Sequence, residues 1–372
     1  MKEALIAIRN NIISFLYKFS VKPICFLIDP EKIHNTLTVF GRILGSNFIT
    51  RAITGFFFNY HNKKLSQNIL GINFNNPVGL AAGFDKDAQL TKILPRVGFG
   101  HIEIGSITGE PCVGNPKPRL FRLPKSQSIV VNYGLKNKGA EIISKKLKNA
   151  KFKVPIGVSI AKTNCKETVG VEAGITDYKK AHKAFSQIGD FDVINISCPN
   201  AHGGEPFTDP VKLEKLLSEI DKTPTKKPIF IKLSPDLTEK ELDAVIQVCT
   251  NHKIAGFSCA NLTKDRGKLK LKEPIPGKGS ISGKAIEALA NEQIACVYRK
   301  TNGKYSIIGV GGIFTAEDAY KKIRLGASLI QLITGMIYGG PQTISQINHG
   351  LVRLLEKDGF KNISEAIGAD NK

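Results

Sequence analysis

Cys198 stands directly before Pro199 in the run Asn195-Ile196-Ser197-Cys198-Pro199-Asn200. Proline biases the residue ahead of it towards an extended backbone, so this run reads as the end of a strand with the sulfur projecting past it. A thiol of unperturbed pKa ~8.5 becomes a proton acceptor once a neighbour lowers that value, which makes Cys198 a candidate base. The alternative, a small buried hydrophobe, describes the other six cysteines well. The seven are odd in number, widely spaced and never in C-x-x-C, so they predict neither a disulfide framework nor a metal centre. Asn132, Asn195, Asn200 and Asn261 each offer both a donor and an acceptor. A ring with alternating C=O and N–H groups, such as a pyrimidine, needs that complement, and Lys86 could hold a carboxylate on it. Any one of these amides alone reads as a turn residue.

Lys232 lies inside Ile229-Phe230-Ile231-Lys232-Leu233, where an unpaired ammonium is costly to bury. It needs an anionic partner: an Asp or Glu in a core ion pair, or a flavin ring whose reduced form carries negative charge. Gly309-Val310-Gly311-Gly312 and, one helix later, Ile333-Thr334-Gly335 offer bare backbone N–H groups. The first alone reads as a tight turn needing positive φ. Paired with the second, it favours a phosphate-bearing cofactor, and FMN fits such a site.

These residues are scattered along the chain, so strands must carry them to one edge. From residue 70 onward, short apolar, β-branched runs alternate with helical patterns. The runs are Pro77–Gly83, His101–Thr108, Pro155–Lys162, Asp192–Cys198, Pro228–Pro235, Gly256–Thr263, Tyr305–Gly312 and Ser328–Gly335. Helical candidates between them are Gly139–Ala150, Asp177–Ile188, Leu213–Asp221, Glu239–Asn251, Lys284–Arg299 and Ala316–Leu325. Near-continuous apolarity is what parallel strands buried on both faces require. Eight strand-then-helix units predict an α/β fold, a (β/α)8 TIM barrel. An open doubly wound sheet would place G-x-G-x-x-G after its first strand, and Ala81-Ala82-Gly83-Phe84-Asp85-Lys86 does not match. The polar residues fall at the C-terminal strand ends, where a barrel keeps its chemistry. They are Asp85 and Lys86, Ser106 and Thr108, Ser159 and Lys162, then Asn195, Ser197, Cys198 and Asn200, and finally Lys232, Asn261, Gly311-Gly312 and Thr334-Gly335.

Residues 1 to about 64 differ. Ile12, Ile13, Phe15, Leu16 and Phe19, then Ile24, Phe26, Leu27 and Ile28, recur at helical spacing, and Asp29-Pro30-Glu31 is a helix-start signature. Phe48, Ile49, Ile53, Phe56, Phe57, Phe58 and Tyr60 continue the pattern, with Arg9, Lys18, Lys22, Lys32, Arg42 and Arg51 as basic flanks. Such amphipathic helices either lie in a lipid headgroup plane, aromatic face down, or cap the barrel with that face inward. The chain thus divides into residues 1–64, a helical extension, and residues 65–372, the barrel. Lys+Arg minus Asp+Glu is 53 − 32 = +21, an excess of dispersed lysine rather than the cluster a nucleic-acid site needs. No uninterrupted apolar stretch reaches the ~18 residues of a membrane span, and a reducing cytoplasm suits the cysteines.

Together Gly79-Leu80-Ala81-Ala82-Gly83-Phe84-Asp85-Lys86-Asp87, Ile102-Glu103-Ile104-Gly105, Gly114-Asn115-Pro116-Lys117-Pro118-Arg119-Leu120-Phe121-Arg122-Leu123, the Cys198 run and Ile308-Gly309-Val310-Gly311-Gly312-Ile313 resemble dihydroorotate dehydrogenase over nearly the whole chain. The N-terminal helices with Asp29-Pro30-Glu31-Lys32-Ile33-His34 resemble the membrane-associated class 2 enzymes, which pass electrons to a quinone; class 1 enzymes lack them. The resemblance implies that Ala81, Ala82, Gly83, Phe84, Asp85, Ser106, Ser159, Asn195, Lys232, Ala260, Gly283, Gly312, Thr334 and Gly335 line FMN. It implies that Lys86, Asn132, Gly134, Leu135, Asn195, Asn200, Asn261 and Leu262 meet dihydroorotate or the product orotate, with Cys198 as base. His34 and Arg122 would stand near a quinone tunnel. A peripheral protein on an anionic membrane, at the cytoplasmic face of a bacterial cell, is the matching expectation, with neither metal nor nucleic acid as partner.

The chain departs from the family pattern at several positions. Cys198 stands where class 2 members usually place Ser, and Cys is the class 1 habit. Ser159, Ala260 and Leu262 replace the usual Asn, Thr and Thr, and the loop Asn132-Tyr133-Gly134-Leu135-Lys136-Asn137 is one residue shorter than usual. Two alternatives remain open at this stage: a soluble fumarate- or NAD-linked enzyme of the same fold, and a non-catalytic basic barrel binding RNA or an anionic membrane.

Overall fold

The computed structural model describes residues 2–371. Eight strands close into one barrel: β1 (Val78–Leu80), β2 (His101–Ile107), β3 (Ile156–Ile160), β4 (Phe191–Asn195), β5 (Ile229–Lys232), β6 (Ile254–Cys259), β7 (Ser306–Val310) and β8 (Leu329–Leu332). Every neighbouring pair is parallel and follows chain order, and β8 returns to β1. All eight expected runs are strands of this barrel. Side chains alternate between its two faces. Ile102, Ile104, Val158 and Ile194 point outward into the main core beneath the helices, while Phe191, Val193, Phe230, Ile308 and Leu329 fill the lumen. Phe74, from the hairpin Gln67–Ile69/Ile72–Phe74, closes the lower end. Bare strand glycines admit the bulky lumen residues: a Cβ on Gly157 would lie 2.4 Å from the Phe191 ring, and one on Gly79 would lie 2.1 Å from His101 Nε2.

Two features depart from the sequence reading. The helix expected to start at Asp177 starts at Val171, because Gly174, a weak helix former, is tolerated where it packs on Phe207. A three-stranded antiparallel sheet, with Ser128–Val131 between Leu120–Leu123 and Ser280–Gly283, forms from runs outside the eight strand-then-helix units.

The N-terminal segment forms α1 (Lys2–Leu16), which continues through a π-turn at Tyr17–Val21 into α2 (Lys22–Leu27). A 119° bend then separates this run from α3 (Pro30–Ser46), and α4 (Phe48–Phe58) follows. The Asp29 carboxylate accepts the Lys32 amide at 2.8 Å with Pro30 in the first turn, so the predicted start signature works as a cap. Burial in these helices is inverted. Asn10, Ser14, Glu31, Thr38 and Thr54 are buried, while Phe15, Phe19, Leu27, Phe40, Phe48 and Phe56 are each more than half exposed. Their apolar faces therefore point away from the barrel. Polar bonds fix the segment: Arg9 Nη2 and Asn10 Nδ2 both donate to Ser345 Oγ, and Glu3 accepts from Tyr60 and pairs with His349. No single helix among the described residues is long and apolar enough to cross a membrane.

Candidate active site

The C-terminal strand ends and the antiparallel sheet above them gather the predicted residues on one mouth. On the floor, Asn195 Nδ2 donates to Ser106 Oγ at 2.9 Å, and Ser106 Oγ lies 2.8 Å from Ser159 Oγ. Ser159 thus joins a polar chain from a position where the family uses Asn. Tyr178 Oη donates to the Asn195 carbonyl at 2.7 Å and steadies the end of β4. Lys232, at the top of β5, is 5% exposed, and its Nζ lies 3.8 Å from Glu103 Oε1 in the lumen. Lys232 thus has the core carboxylate that one of its two readings requires, at a distance too long to occupy its donors.

Ala81, Ala82 and Gly83 follow β1 along the same rim, where Gly83 N donates to the Gly105 carbonyl at 2.7 Å. Asp85 differs from its neighbours, since its carboxylate turns back to accept the Gln89 and Leu90 amides. Its side chain shapes the loop, and burial raises its pKa. Across the mouth, Ala260 follows β6, and Gly283 packs on Thr334: a Cβ there would lie 2.9 Å from Thr334 Cγ2 and 2.7 Å from the Gln127 carbonyl. Gly312 has φ +74°, and Thr334 and Gly335 open the helix Thr334–Gly339, so all three amides lack a backbone acceptor among the described residues. Unpaired N–H groups, a cradle that a Cβ would fill and a buried lysine fit a phosphate-bearing flavin.

Above this floor lies a lattice of amides. Asn115 Nδ2 donates to Asn132 Oδ1 and to the Asn200 carbonyl, both at 3.0 Å. Asn164 Nδ2 donates to Asn115 Oδ1 and the Gly134 carbonyl, Asn200 Nδ2 to the Val131 carbonyl, and Ser280 Oγ to Asn200 Oδ1. Asn261 Nδ2 reaches Asn195 Oδ1 at 3.1 Å and the Ser197 carbonyl at 2.7 Å, while its Oδ1 accepts the Leu262 amide. The sequence reading missed Asn115 and Asn164 as site residues. Asn115 sits in a turn-like Gly-Asn-Pro run, and nothing local distinguishes Asn164. Lys86 Nζ lies 4.1 Å from the Tyr133 ring centroid and 3.5 Å from His34 Nε2, and it makes no ion pair among the described residues. Burial lowers its pKa to about 7, with Lys136 acting in the same direction. An ammonium held this way favours an anionic ligand.

Cys198 follows β4 and shares a small recess with Leu135, Lys162, Tyr178 and Phe207. Burial pushes its thiol up to about 11; the Asn200 amide and Lys162 pull it down, and Glu205 raises it. The sequence reading expected a neighbour to lower it, but burial outweighs the cations.

A second set of groups lies on the seam under the N-terminal helices. Glu31 and Arg119 form a buried bidentate pair, with Nε–Oε2 at 3.0 Å and Nη2–Oε1 at 2.7 Å, and Arg119 Nη1 also donates to the Val113 and Asn115 carbonyls. Arg122 Nη1 donates to the Ile28 carbonyl at 2.8 Å and stacks 4.6 Å from the Phe26 ring. Phe26 meets Tyr338, one turn beyond Thr334, edge to face at 5.3 Å. His34 Nε2 lies 2.9 Å from the Phe84 carbonyl, and burial with nearby Lys86 lowers its pKa to about 4, so it is neutral at physiological pH.

Residues 64–355 match the family described as dihydroorotate dehydrogenase. A protein of Trichodesmium erythraeum named dihydroorotate dehydrogenase (quinone) is 39% identical over 96% of this chain and 99% of its own length. One of the same name from Haloarcula marismortui is 41% identical over 83% of this chain and 86% of its own. Among solved structures, the ligand-free DHODH of Eimeria tenella superposes with a TM-score of 0.81 at 30% identity, covering 92% of this chain and all of that one. The same enzyme in complex with ferulenol gives 0.80 at 29% identity, covering 92% and 96%. The match spans barrel and helical extension alike, and this chain belongs to the dihydroorotate dehydrogenase family.

Proposed function

We infer that this chain oxidises dihydroorotate to orotate and delivers the electrons to a quinone, with FMN between the two. The observation that carries this reading is the convergence of Lys86, Asn132, Asn200, Asn261 and Cys198 on the mouth that also holds Lys232 and the unpaired amides of Gly312, Thr334 and Gly335. FMN bound there supplies a two-electron acceptor for the hydride leaving C6 of the substrate. The phosphate would rest on Gly312, Thr334 and Gly335, and Lys232 would sit by the ring. Lys86 would hold the substrate carboxylate, the asparagines would fix the pyrimidine edge, and Cys198 would take the proton from C5. Arg122, His34 and Tyr338 would border the quinone's path. The outward apolar faces of α1 to α4, edged by exposed Lys18, Lys32 and Arg42, support docking on an anionic membrane surface, at the cytoplasmic face of the cell membrane. The test is spectroscopic: the purified protein should be yellow, bleach with dihydroorotate, and recover its colour with a quinone. A colourless protein, or one that dihydroorotate leaves yellow, would refute the reading.

Two results follow. Lys232→Ala should lower flavin occupancy or slow flavin reduction, because a buried cation beside the ring favours the charge that develops there. Full occupancy with normal reduction would remove Lys232 from the site. Orotate affinity, read from the shift in flavin absorbance, should hold steady below pH 7 and weaken above it. Lys86 is protonated below its value of about 7; above it, binding an anion must first supply a proton, so affinity falls about tenfold per pH unit. An affinity unchanged to pH 9 would take Lys86 off the carboxylate.

A further inference from the structure

The lumen under the mouth holds a group that the chemistry above does not use. Glu103 lies on β2 and faces the barrel axis; it is 0% exposed, and neither of its carboxylate oxygens has a hydrogen-bond partner among the described residues. Much of the surrounding lumen is apolar, with Phe191, Val193, Phe230 and Ile308. Such a carboxylate costs several kcal/mol to bury unless a cation compensates it, and a leucine or methionine would fill the same space without that penalty. Its cationic partner is Lys232, whose Nζ lies 3.8 Å away. That distance is too long for a hydrogen bond, so the pair attracts without consuming the donors that Lys232 presents upward.

We propose that Glu103 is a positioning residue, the counter-charge beneath Lys232 that holds its ammonium under the flavin ring and limits how much positive charge the reduced ring experiences. The proposal rests on the FMN reading. A cation under the ring favours the reduced, negatively charged form, and a carboxylate behind that cation opposes it. Glu103→Gln keeps the shape and removes the charge, so the ring becomes easier to reduce.

The experiment measures the flavin midpoint potential of the full-length, FMN-loaded protein by dye equilibration at pH 6. Glu103→Gln should retain FMN and raise the ratio of reduced to oxidised flavin at a fixed potential at least tenfold, about 30 mV for a two-electron couple. In a Lys232→Met background saturated with FMN the same substitution should raise the potential by clearly less, because there only the direct field of the carboxylate is removed and no ammonium is left for it to place. An unchanged potential with FMN retained, or an equal rise in both backgrounds, would overturn the proposal. If Glu103→Gln does not fold, Glu103→Asp withdraws the charge by one methylene and should move the potential in the same direction; an aspartate variant at the parent value also overturns it. A parent protein that takes up no FMN overturns both readings, and its visible spectrum shows this before any potential is measured.

Discussion

Cys198→Ala is expected to lose most of the rate at which dihydroorotate reduces the flavin, on the order of 10²- to 10⁴-fold, while orotate still binds through Lys86 and the asparagines. The parent's pH profile distinguishes a base from a packing residue. Burial raises the Cys198 thiol to about 11, so at pH 8 only about one molecule in a thousand carries the thiolate. A group that reacts as its anion gains tenfold in population per pH unit below its pKa. Flavin reduction should therefore climb steadily from pH 7 to pH 10 without a plateau. Lys162 Nζ, which donates to the His202 carbonyl at 2.7 Å, and Lys264, ion-paired to Glu205, are the cations that pull the thiol down, so Lys162→Met should depress the same climb. Cys198→Ser keeps an acceptor of far higher pKa and should be slow but not inert, with a profile displaced to higher pH. Stopped-flow reduction of the three Cys198 proteins across pH decides it. An alanine variant as fast as the parent would leave Cys198 as packing alone.

The barrel was legible because its signal is local. Each strand is a short β-branched run, and each run ends in the residue that its position at the mouth demands. The antiparallel sheet was not legible, because Leu120–Leu123, Ser128–Val131 and Ser280–Gly283 are only four residues each and the last pairs with the second across up to 155 residues. Of the site, Lys232, Cys198 and the four asparagines could be found because each is a polar residue at odds with an apolar run or next to a proline. Glu103 sits between Ile102 and Ile104, and alternation places it on the opposite face from them, but only closure of the barrel brings that face to Lys232. The pairing of Glu31 with Arg119 spans 88 residues. Both lie in runs that carry the family resemblance, yet nothing in either run names the other. The orientation of the N-terminal helices was undecidable from periodicity, which identifies an apolar face without saying what covers it. Buried Asn10, Ser14, Thr38 and Thr54 decide it.

Deleting residues 1–64 should abolish efficient quinone reduction, since Phe26, Ile28 and His34 form one wall of the seam leading to Arg122 and Tyr338. Chemistry at the mouth should continue, because every group assigned to flavin or substrate lies in the barrel. It should not continue unchanged. Glu31 holds Arg119, Arg119 holds the Asn115 carbonyl, and Asn115 bonds Asn132 and the Asn200 carbonyl, so α3 supports the substrate amides through three links. The truncated barrel should therefore reduce flavin at a normal rate when dihydroorotate is saturating but need several-fold more of it. A point variant separates this support from the loss of the quinone wall. Glu31→Gln keeps all the helices yet breaks a buried pair, which costs about 3–5 kcal/mol when one partner is left charged and alone. It should lower the Tm and raise the KM for dihydroorotate while the protein still binds anionic vesicles. Activity with a soluble dye, activity with a short-chain quinone, and vesicle flotation distinguish the three effects. Normal quinone turnover by the truncated barrel would place the acceptor elsewhere, and an unchanged KM in both variants would confine α3 to the quinone side.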